Sequence, residues 1–540
     1  MKTKALLTVL MLLTSFQLAS AQGLSINWQK VYGGNNDEIL TSIRPTNDNG
    51  AILGGNSLSP ASGDKSDDNC FPGTLDYWLV KVDSLGNKEW DRTIGGDNAD
   101  FLTVAEQTDD SGYIVSGFSL SNSSCDKSSD NCSLNGGSNN DFWIMKLDAT
   151  GIIEWEKTIG GWFSDVAYAA TQTSDGGYAF GGGSVSGTEC NKTTGNNGGR
   201  DFWIIKTDAS GNILWQRSYG GSLYDGIFSM ITTNDNGFLC SGYSRSGIGG
   251  DQTSINYGDQ DFWTMKLDST GTIEWQSSFG GSGKDIIFTA EQTSDSGYIL
   301  GGMTDSPISG TVTETDHGGY DYYIVKIDSL GNEEWQARAG GSAFDECRTI
   351  SEMPNGNYFV AGYSESGISG NKTAPSKGGN DFWVMELSSS GTILWQQTFG
   401  GTGDDNSAAG PMLMADGSIM LAGESNSPVG GDKTVPPKGG TDFWIIKLDP
   451  ITTGINESSS ALRLSLSPNP ASDQIRFLAD TDIRGVRIYD NTGRLVITQT
   501  LNVAYGTERV IDLSTLDPGA YLFNVISKDG RRSTSQFLKL

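Results

Sequence analysis

The chain has 540 residues, a formal net charge of −29 at pH 7, 73 glycines and only 19% charged residues. This length exceeds that of one ordinary domain, and the glycine content predicts many short strands joined by tight turns. Residues 22–460 carry 24 Lys and Arg against 57 Asp and Glu, so phosphate backbones would be repelled. The composition favours an all-β protein and excludes nucleic acid as an expected partner.

The first 21 residues have the pattern of a secretory signal peptide. Lys2 and Lys4 precede an apolar run from Ala5 to Leu13, and the segment ends in the small residues Ala19-Ser20-Ala21. The run is too short to span a bilayer, and no other stretch approaches the ~20 apolar residues that a transmembrane helix needs. We therefore expect residues 1–21 to be cleaved, and a soluble mature chain without a transmembrane segment.

A unit of about 60 residues then repeats along the chain. One element of the unit is a tryptophan followed by a pair of glycines, at Trp28, Trp90, Trp155, Trp215, Trp275, Trp335 and Trp395. A second element is an aspartate that opens an aromatic, apolar run, at Asp76, Asp141, Asp201, Asp261, Asp321, Asp381 and Asp442. Each element occurs seven times, which predicts seven copies of one structural unit.

Each unit is predicted to contain four strands, which we call a, b, c and d in chain order. In the fifth unit these are residues 285–293, 298–304, 321–327 and 333–338. Strands b and c are apolar on both faces, which is typical of sheets packed between neighbouring sheets. Radial packing of such sheets, or blades, is the arrangement of a β-propeller.

The two ends of the array complement each other. The repeats begin with a lone d-type strand over residues 26–32 and stop after a c-type strand over residues 442–448, with Pro450 where strand d would follow. Pairing the two ends would complete one blade and remove the exposed edges of an open array. We therefore predict an all-β fold in which residues 22–449 form a seven-bladed β-propeller of four-stranded blades.

The repeat is similar to that of the seven-bladed beta-propeller repeat family over residues 24–449. The run from Asp201 to Asp208, followed by Gly211, Trp215, Gly220-Gly221 and Asp225, carries the resemblance. The family implies the fold but no single activity. The chain departs from the pattern at Tyr323, where Trp is usual, Glu386 for Lys, Ser388 for the turn Asp, and Glu38 for Asp.

The repeat is lost after Leu448. Residues 450–461 form a polar, Ser-rich linker, and residues 462–540 alternate apolar and polar positions between turn sequences, which predicts a small Ig-like β-sandwich. This segment resembles the type A sorting domain of the type IX secretion system of Bacteroidetes. The matching positions include Pro468, Asn469, Pro470, Gly493, Gly519, Tyr521 and Lys539.

This resemblance implies an export route. The signal peptide would take the chain across the inner membrane, and the sorting domain would engage the type IX machinery to cross the outer membrane. Release into the medium, or attachment to a surface lipopolysaccharide, would follow. The expected location is therefore the outer-membrane surface or the extracellular space.

Four of the six cysteines lie in polar loops, and an exported protein can oxidise them. Cys125 and Cys132 lie in one loop and are predicted to form a local disulfide, while the connectivity of Cys70 and Cys190 stays open. Cys240 and Cys347 occupy positions that are apolar in other repeats and are expected to be core thiols.

Catalytic patterns are weak. The single histidine, His317, lies in a loop and leaves no room for a multi-histidine metal site. The leading hypothesis is therefore a binding protein. The alternative is a secreted carbohydrate-active or other hydrolytic enzyme with carboxylates at the mouth of the propeller channel, since such pairs leave no motif in a single sequence.

The alternation of strand direction places the long b–c loops and the d–a connections on one face. Loops on a rigid scaffold are where binding usually occurs. Aromatic residues on that face, Trp162, Phe163, Tyr224 and Phe344, are the candidate contacts for a glycan, polymer or protein ligand. Packing against an adjacent loop is an alternative role for Trp162, which lies outside the repeat pattern.

An acidic residue opens strand a in every repeat: Glu38, Asp100, Asp165, Asp225, Asp285, Asp345 and Asp405. With strand a innermost, these seven residues would ring the channel mouth and hold a cation such as calcium. Capping of the preceding turn explains the same pattern. No other cofactor is expected.

Overall fold

The computed structural model describes residues 23–134, 139–414, 416–450, 464–467, 471–479, 482–490, 494–503, 509–528 and 532–540. The predicted signal peptide, residues 451–461 of the linker, and Pro468, Asn469, Pro470 and Gly493 lie outside the described residues. The chain divides into a propeller unit, Gln22–Ile451, and a C-terminal unit that begins at Thr452. Within the described residues, no helix is long and apolar enough to cross a membrane.

Seven four-stranded antiparallel sheets make up the propeller unit. The lone first strand is β1 (Leu24–Tyr32). Blades 1 and 2 are β2 (Glu38–Pro45), β3 (Ala51–Ser57), β4 (Asp76–Val82), β5 (Lys88–Ile94), and β6 (Asp100–Gln107), β7 (Tyr113–Ser119), β8 (Asp141–Leu147), β9 (Ile153–Ile159). Blades 3 and 4 are β10 (Asp165–Gln172), β11 (Tyr178–Ser184), β12 (Asp201–Thr207), β13 (Ile213–Tyr219), and β14 (Asp225–Thr232), β15 (Phe238–Ser244), β16 (Asp261–Leu267), β17 (Ile273–Phe279).

Blades 5 and 6 are β18 (Asp285–Gln292), β19 (Tyr298–Thr304), β20 (Asp321–Ile327), β21 (Glu333–Ala339), and β22 (Asp345–Glu352), β23 (Tyr358–Ser364), β24 (Asp381–Leu387), β25 (Ile393–Phe399). Blade 7 contains β26 (Asp405–Leu413), β27 (Ile419–Ser425) and β28 (Asp442–Pro450), with β1 as its fourth strand. The predicted all-β, seven-bladed fold is confirmed.

Strands b and c form the core of each blade because they are apolar on both faces. In blade 5, every residue of β19 and of β20 is buried. Aromatic residues of strand c bridge adjacent blades: the rings of Phe202 and Trp263 lie 4.7 Å apart, and those of Phe142 and Trp203 lie 4.9 Å apart. Each blade is therefore held by the next one through its central strands.

The terminal strands close the ring, as predicted. Strand β1 pairs antiparallel with β28, with Tyr32 opposite Phe443 and Leu24 opposite Pro450. The start of β1 is also tied to blade 6, since the side chain of Gln397 accepts from the backbone N–H of Leu24 at 2.9 Å and donates to its carbonyl at 3.0 Å. Blade 7 thus combines strands from both ends of the propeller.

The predicted Cys125–Cys132 disulfide is wrong. The structure pairs Cys70 with Cys125 and Cys132 with Cys190, over 55 and 58 residues of sequence. These bonds join the b–c loops of blades 1 and 2, and of blades 2 and 3, because loops of adjacent blades lie side by side on one face. Cys240 and Cys347 are buried free thiols, as expected.

The C-terminal unit has two sheets. They contain β29 (Leu464–Ser467), β30 (Gln474–Ala479), β31 (Ile483–Asp490), β32 (Leu495–Val503), β33 (Arg509–Asp512), β34 (Gly519–Ser527) and β35 (Arg532–Lys539). The sheet orders are β29-β30-β33 and β32-β31-β34-β35. A single core that includes Ile475, Phe477, Val486, Phe523 and Phe537 fills the space between them, as in an Ig-like sandwich.

Candidate functional site

A central cavity of about 550 Å³ is lined mainly by residues of strand a, which is therefore the innermost strand of each blade. Every strand a contains a register shift at its fourth residue. Such a bulge re-aims the side chain at that position. The side chains that line the cavity from this position are Thr41, Thr103, Tyr168, Phe228, Phe288 and Arg348.

Three of these residues form an aromatic arc across blades 3 to 5. The ring centroids of Tyr168 and Phe228 lie 5.1 Å apart, and those of Phe228 and Phe288 lie 5.3 Å apart. Tyr243 packs beside Phe228, with ring centroids 5.9 Å apart. All four side chains are half-buried, so the arc is a preformed wall that still has surface to offer a ligand.

The arc ends in a polar cluster on blades 6 and 7. The guanidinium of Arg348 lies 4.4 Å from the ring centroid of Phe288 and forms an ion pair with Glu346. Tyr363 donates to Glu346 at 3.0 Å, and Asn406 donates to Glu424 at 3.1 Å. Glu346 lies behind Arg348, whereas Arg348, Tyr363, Asn406 and Glu424 line the cavity.

Burial raises the pKa of both carboxyl groups in this cluster, and the charge of Arg348 opposes that rise in each case. Glu346 and Glu424 therefore share one cation within a partly enclosed space. Groups of this kind can hydrogen-bond a polyhydroxylated ligand, and they can also serve as a proton donor and acceptor.

The b–c loops and d–a connections do share one face. The first loop residue donates to a carbonyl of the preceding connection in each blade, as Arg245 does to Tyr224 at 3.0 Å and Glu365 does to Phe344 at 2.8 Å. Trp162, Phe163 and Tyr224 project from this face with 39%, 47% and 51% of their surface exposed.

Phe344 is placed differently from the other three predicted aromatic contacts. It is half-buried, stacks on Tyr363 with ring centroids 5.9 Å apart, and packs against Tyr320 at 5.2 Å. Phe344 therefore extends the channel wall towards the loop face. Of the four candidates, it is the one that the structure connects to the cavity.

The acidic residues that open strand a are buried inside the blades and not on the channel wall. Their carboxylates accept from a glycine N–H four residues earlier: Asp165 from Gly161 at 2.7 Å, and Asp285 from Gly281 at 2.8 Å. Serine hydroxyls of the b–c loop donate to the same oxygens, as Ser186 does to Asp165 at 2.9 Å. This is the turn-capping arrangement. Among the described residues, no group of three or more His, Cys, Asp or Glu side chains could hold a metal ion.

Two features of the site were missed in the sequence. The bulged position of strand a is visible only as a variable residue three positions after the strand-a acid, and variability alone did not mark it as channel-lining. The second feature is a lysine in the b–c loop, at Lys65, Lys127, Lys192, Lys372 and Lys433, which is buried near the strand-a and strand-c carboxyls. It follows a Gly or Cys by two residues in each case, which is a detectable pattern.

Comparison with known proteins shows which domain family the C-terminal unit matches. Residues 465–539 match the secretion system C-terminal sorting domain. In the described part of this unit, Tyr521 donates from its hydroxyl to the carbonyl of Asp517 at 2.8 Å, and the amine of Lys539 lies 3.5 Å from a carboxylate oxygen of Asp473. Gly519 opens β34. This protein is thus a β-propeller with a sorting domain, exported by the type IX secretion system to the cell surface or the extracellular space.

The chain has more distant similarities. A segment of 179 residues is 25% identical to the regulatory protein FlaEY of Caulobacter vibrioides, and it covers 32% of this chain and 18% of that protein. The Neurospora crassa Pan2 WD40 domain is 11% identical, with 78% and 95% of the two chains covered and a TM-score of 0.41. YCF48 bound to D1 peptide is 9% identical, with 80% and 98% covered and a TM-score of 0.38. The blade count of this chain rests on its own strand pairing.

Proposed function

We propose that this protein is a secreted or surface-displayed binding protein that holds its ligand at the mouth of the propeller channel. The observation that carries the proposal is the aromatic arc of Tyr168, Phe228 and Phe288, which continues into Arg348 and Glu424 around one cavity. Binding sites usually combine an apolar wall with a few placed polar groups in a volume of roughly 300–1,000 Å³.

A glycan suits this wall better than the other ligands considered, a different polymer or a protein segment. Aromatic rings present apolar faces on which the C–H face of a sugar ring can stack, and they lose little conformational entropy on binding. Carboxylate, amide and guanidinium groups supply the acceptors and donors that hydroxyl groups need. The loops that surround the channel mouth would contact the rest of a longer chain.

Binding can be tested on the exported protein with a panel of glycans and other polymers. Phe228→Ala removes the central ring of the arc and is expected to weaken binding of a ligand at least tenfold, about 1.4 kcal/mol. Phe163→Ala removes an exposed ring from the loop face but outside the cavity, and its affinity for a short ligand that fits within the cavity should match the wild type. Equal affinities for both variants and the wild type, with folding intact by circular dichroism, would contradict a channel site.

The pair Glu346 and Glu424 supports a second candidate, a hydrolase. Glu424 on the cavity wall and Glu346 behind Arg348 both have raised pKa values, and two carboxyls are the elements of general acid and base catalysis on a glycosidic bond. Any glycan that binds should therefore be assayed for turnover. Product formation that is lost in both Glu346→Gln and Glu424→Gln would replace binding by hydrolysis as the function.

A further inference from the structure

Blade junctions bring two carboxyl groups together. The strand-c aspartate of one blade meets the strand-a acid of the next blade at the first glycine of the Gly pair. A Cβ on Gly220 would lie 2.3 Å from Oδ1 of Asp201 and 2.9 Å from Oδ2 of Asp225. The corresponding distances at Gly280 are 2.3 Å to Oδ1 of Asp261 and 2.8 Å to Oδ2 of Asp285. Glycine is required there, and both carboxyls lie against the same glycine.

Most junctions have a buried cation close by. In blades 1, 2, 3, 6 and 7 the b–c loop lysine supplies it. Blade 5 has Val312 at the lysine position, and Arg338 of strand d takes over: it forms an ion pair with Asp321 and donates to the carbonyl of Ser306 at 2.6 Å. Lys372 makes the equivalent contact to the carbonyl of Ser366, also at 2.6 Å.

The junction between blades 4 and 5 differs. Blade 4 has Gln252 at the lysine position, and the charge of Arg338 in blade 5 is directed at Asp321 on the far side of that blade. The charged groups around the pair are Asp305, which acts on Asp285, and Lys284, whose amine lies 4.0 Å from Asp259 at the surface. Within the described residues, no buried cation balances Asp261 and Asp285.

Hydrogen bonding distinguishes the two carboxyls. Asp285 accepts from the N–H of Gly281 and from the hydroxyl of Ser306, both at 2.8 Å. Asp261 accepts from the N–H of Tyr257 on Oδ2. Both side chains are fully buried, but Oδ1 of Asp261 has no hydrogen-bond partner, whereas the side chain of Thr304 also hydrogen-bonds to Asp285. A buried carboxylate oxygen without a donor is costly unless it carries a proton.

We propose that Asp261 carries a proton on Oδ1 in the folded protein at neutral pH and donates it to the ionised carboxylate of Asp285. A proton thereby closes the junction of blades 4 and 5, which has no lysine or arginine of its own. In support, burial and the charge of Asp285 raise the pKa of Asp261 to about 7. The unfolded chain loses this proton near pH 4, so unfolding between pH 5 and 6 releases it.

The test compares the mature wild type with Asp261→Asn, because asparagine has the shape of the protonated acid. The variant should keep its stability above pH 8, and the number of protons released on unfolding between pH 5 and 6 should fall by about one. The matched control is Asp381→Asn at the junction flanked by Lys372 and Lys433, where loss of the negative charge should lower the melting temperature.

A second variant keeps the test independent of how well asparagine packs. Gln252→Lys places a cation beside the pair, should displace the proton, and should reduce the infrared band of protonated carboxyls at pH 6 by the contribution of about one group. Unchanged proton release in Asp261→Asn, or the same band in both Asp261→Asn and the wild type, would overturn the proposal. Stabilisation of the wild type by calcium that Asp261→Asn lacks would overturn it too, in favour of a metal ion.

Discussion

At the scale of single residues, the departures from the repeat come in matched sets. Six strand-c lysines form ion pairs with an aspartate of the a–b turn, as Lys326 does with Asp295 at 2.9 Å. In blade 6 both partners change together: Glu386 replaces the lysine and Asn355 replaces the aspartate. Asn355 donates to Glu386 at 3.4 Å, and Asn357 donates to it at 2.6 Å. Tyr323 likewise keeps the contact of the usual tryptophan, since its hydroxyl donates to Gln336 at 3.3 Å.

This matching predicts the effect of restoring the repeat at one position only. Glu386→Lys buries an ammonium group among asparagines and should lower the free energy of unfolding by about 1–3 kcal/mol. Adding Asn355→Asp supplies the partner that the other blades have and should recover part of the loss. Urea unfolding of the two single variants and the double variant measures the coupling. Additive effects would contradict a specific pairing.

Several residue-level assignments could be made from the sequence and others could not. Strands b and c of blade 5 were predicted with their observed ends, because burial on both faces and Gly turns mark them. Tyr168, Phe228, Phe288 and Arg348 escaped prediction, because their direction depends on a bulge that only the pairing with strand b reveals. The disulfides were mispredicted because proximity between loops of adjacent blades is not encoded in sequence spacing.

At the scale of elements, the disulfides divide the ring into two parts. Blades 1 to 3 are cross-linked through their b–c loops, while blades 4 to 7 are held by packing and hydrogen bonds. Cys125 and Cys190 have φ angles of 47° and 53°, and Gly250, Gly310 and Gly370 have similar values in other blades. A cysteine accepts this backbone strain only where the covalent bond compensates for it.

Removal of one cross-link should separate the effect of the disulfide bond from the effect of the strained backbone at Cys125. Cys70→Ser with Cys125→Gly deletes the disulfide and relieves the strain at position 125, whereas Cys70→Ser with Cys125→Ser deletes the disulfide alone. Both should unfold more readily than the wild type, by about 2–4 kcal/mol per bond, with the glycine variant the more stable of the two. Calorimetry measures the order of stability of the two variants and the wild type. Peptide mapping without reduction should find Cys70–Cys125 and Cys132–Cys190.

At the scale of the whole molecule, repeated carboxyls give stability a defined dependence on pH. The a–b turn aspartates paired with lysine, such as Asp110 and Asp175, have pKa values lowered to about 2. Stability from these groups is lost as the pH falls below 4. The junction aspartates, with pKa values raised to about 7 in Asp76 and about 8 in Asp141, act in the opposite sense.

These opposing groups predict a maximum of stability near pH 4. Between about pH 4 and 7 the folded state holds protons on the junction aspartates that the unfolded chain has lost, so stability falls as the pH rises through this range. Burial lowers the pKa values of Lys127 and Lys192 to about 8. These two groups therefore increase stability as the pH rises, but only above about pH 8. Melting temperatures measured from pH 3 to 9 test the profile. A flat profile between pH 5 and 8 would contradict protonated junctions.

The two units should act independently in the cell. The C-terminal unit has its own core, and residues 461–540 carry 10 Lys and Arg against 8 Asp and Glu. Deletion of residues 457–540 is expected to leave the propeller folded, with its ligand affinity unchanged, and to retain it in the periplasm of the native host. Fractionation and a binding assay measure both outcomes. Normal arrival of the truncated protein in the medium, without lysis, would contradict the sorting role.

The pairing of β1 with β28 also sets an order of events in time. The first strand of the propeller to leave the ribosome and the inner membrane has no partner until the last propeller strand has followed it, since Tyr32 pairs with Phe443. Blades 1 to 6 consist of consecutive strands and can form as the chain emerges. The seventh must wait, so the channel acquires its complete wall in the final step of folding, after more than 400 residues have crossed the membrane.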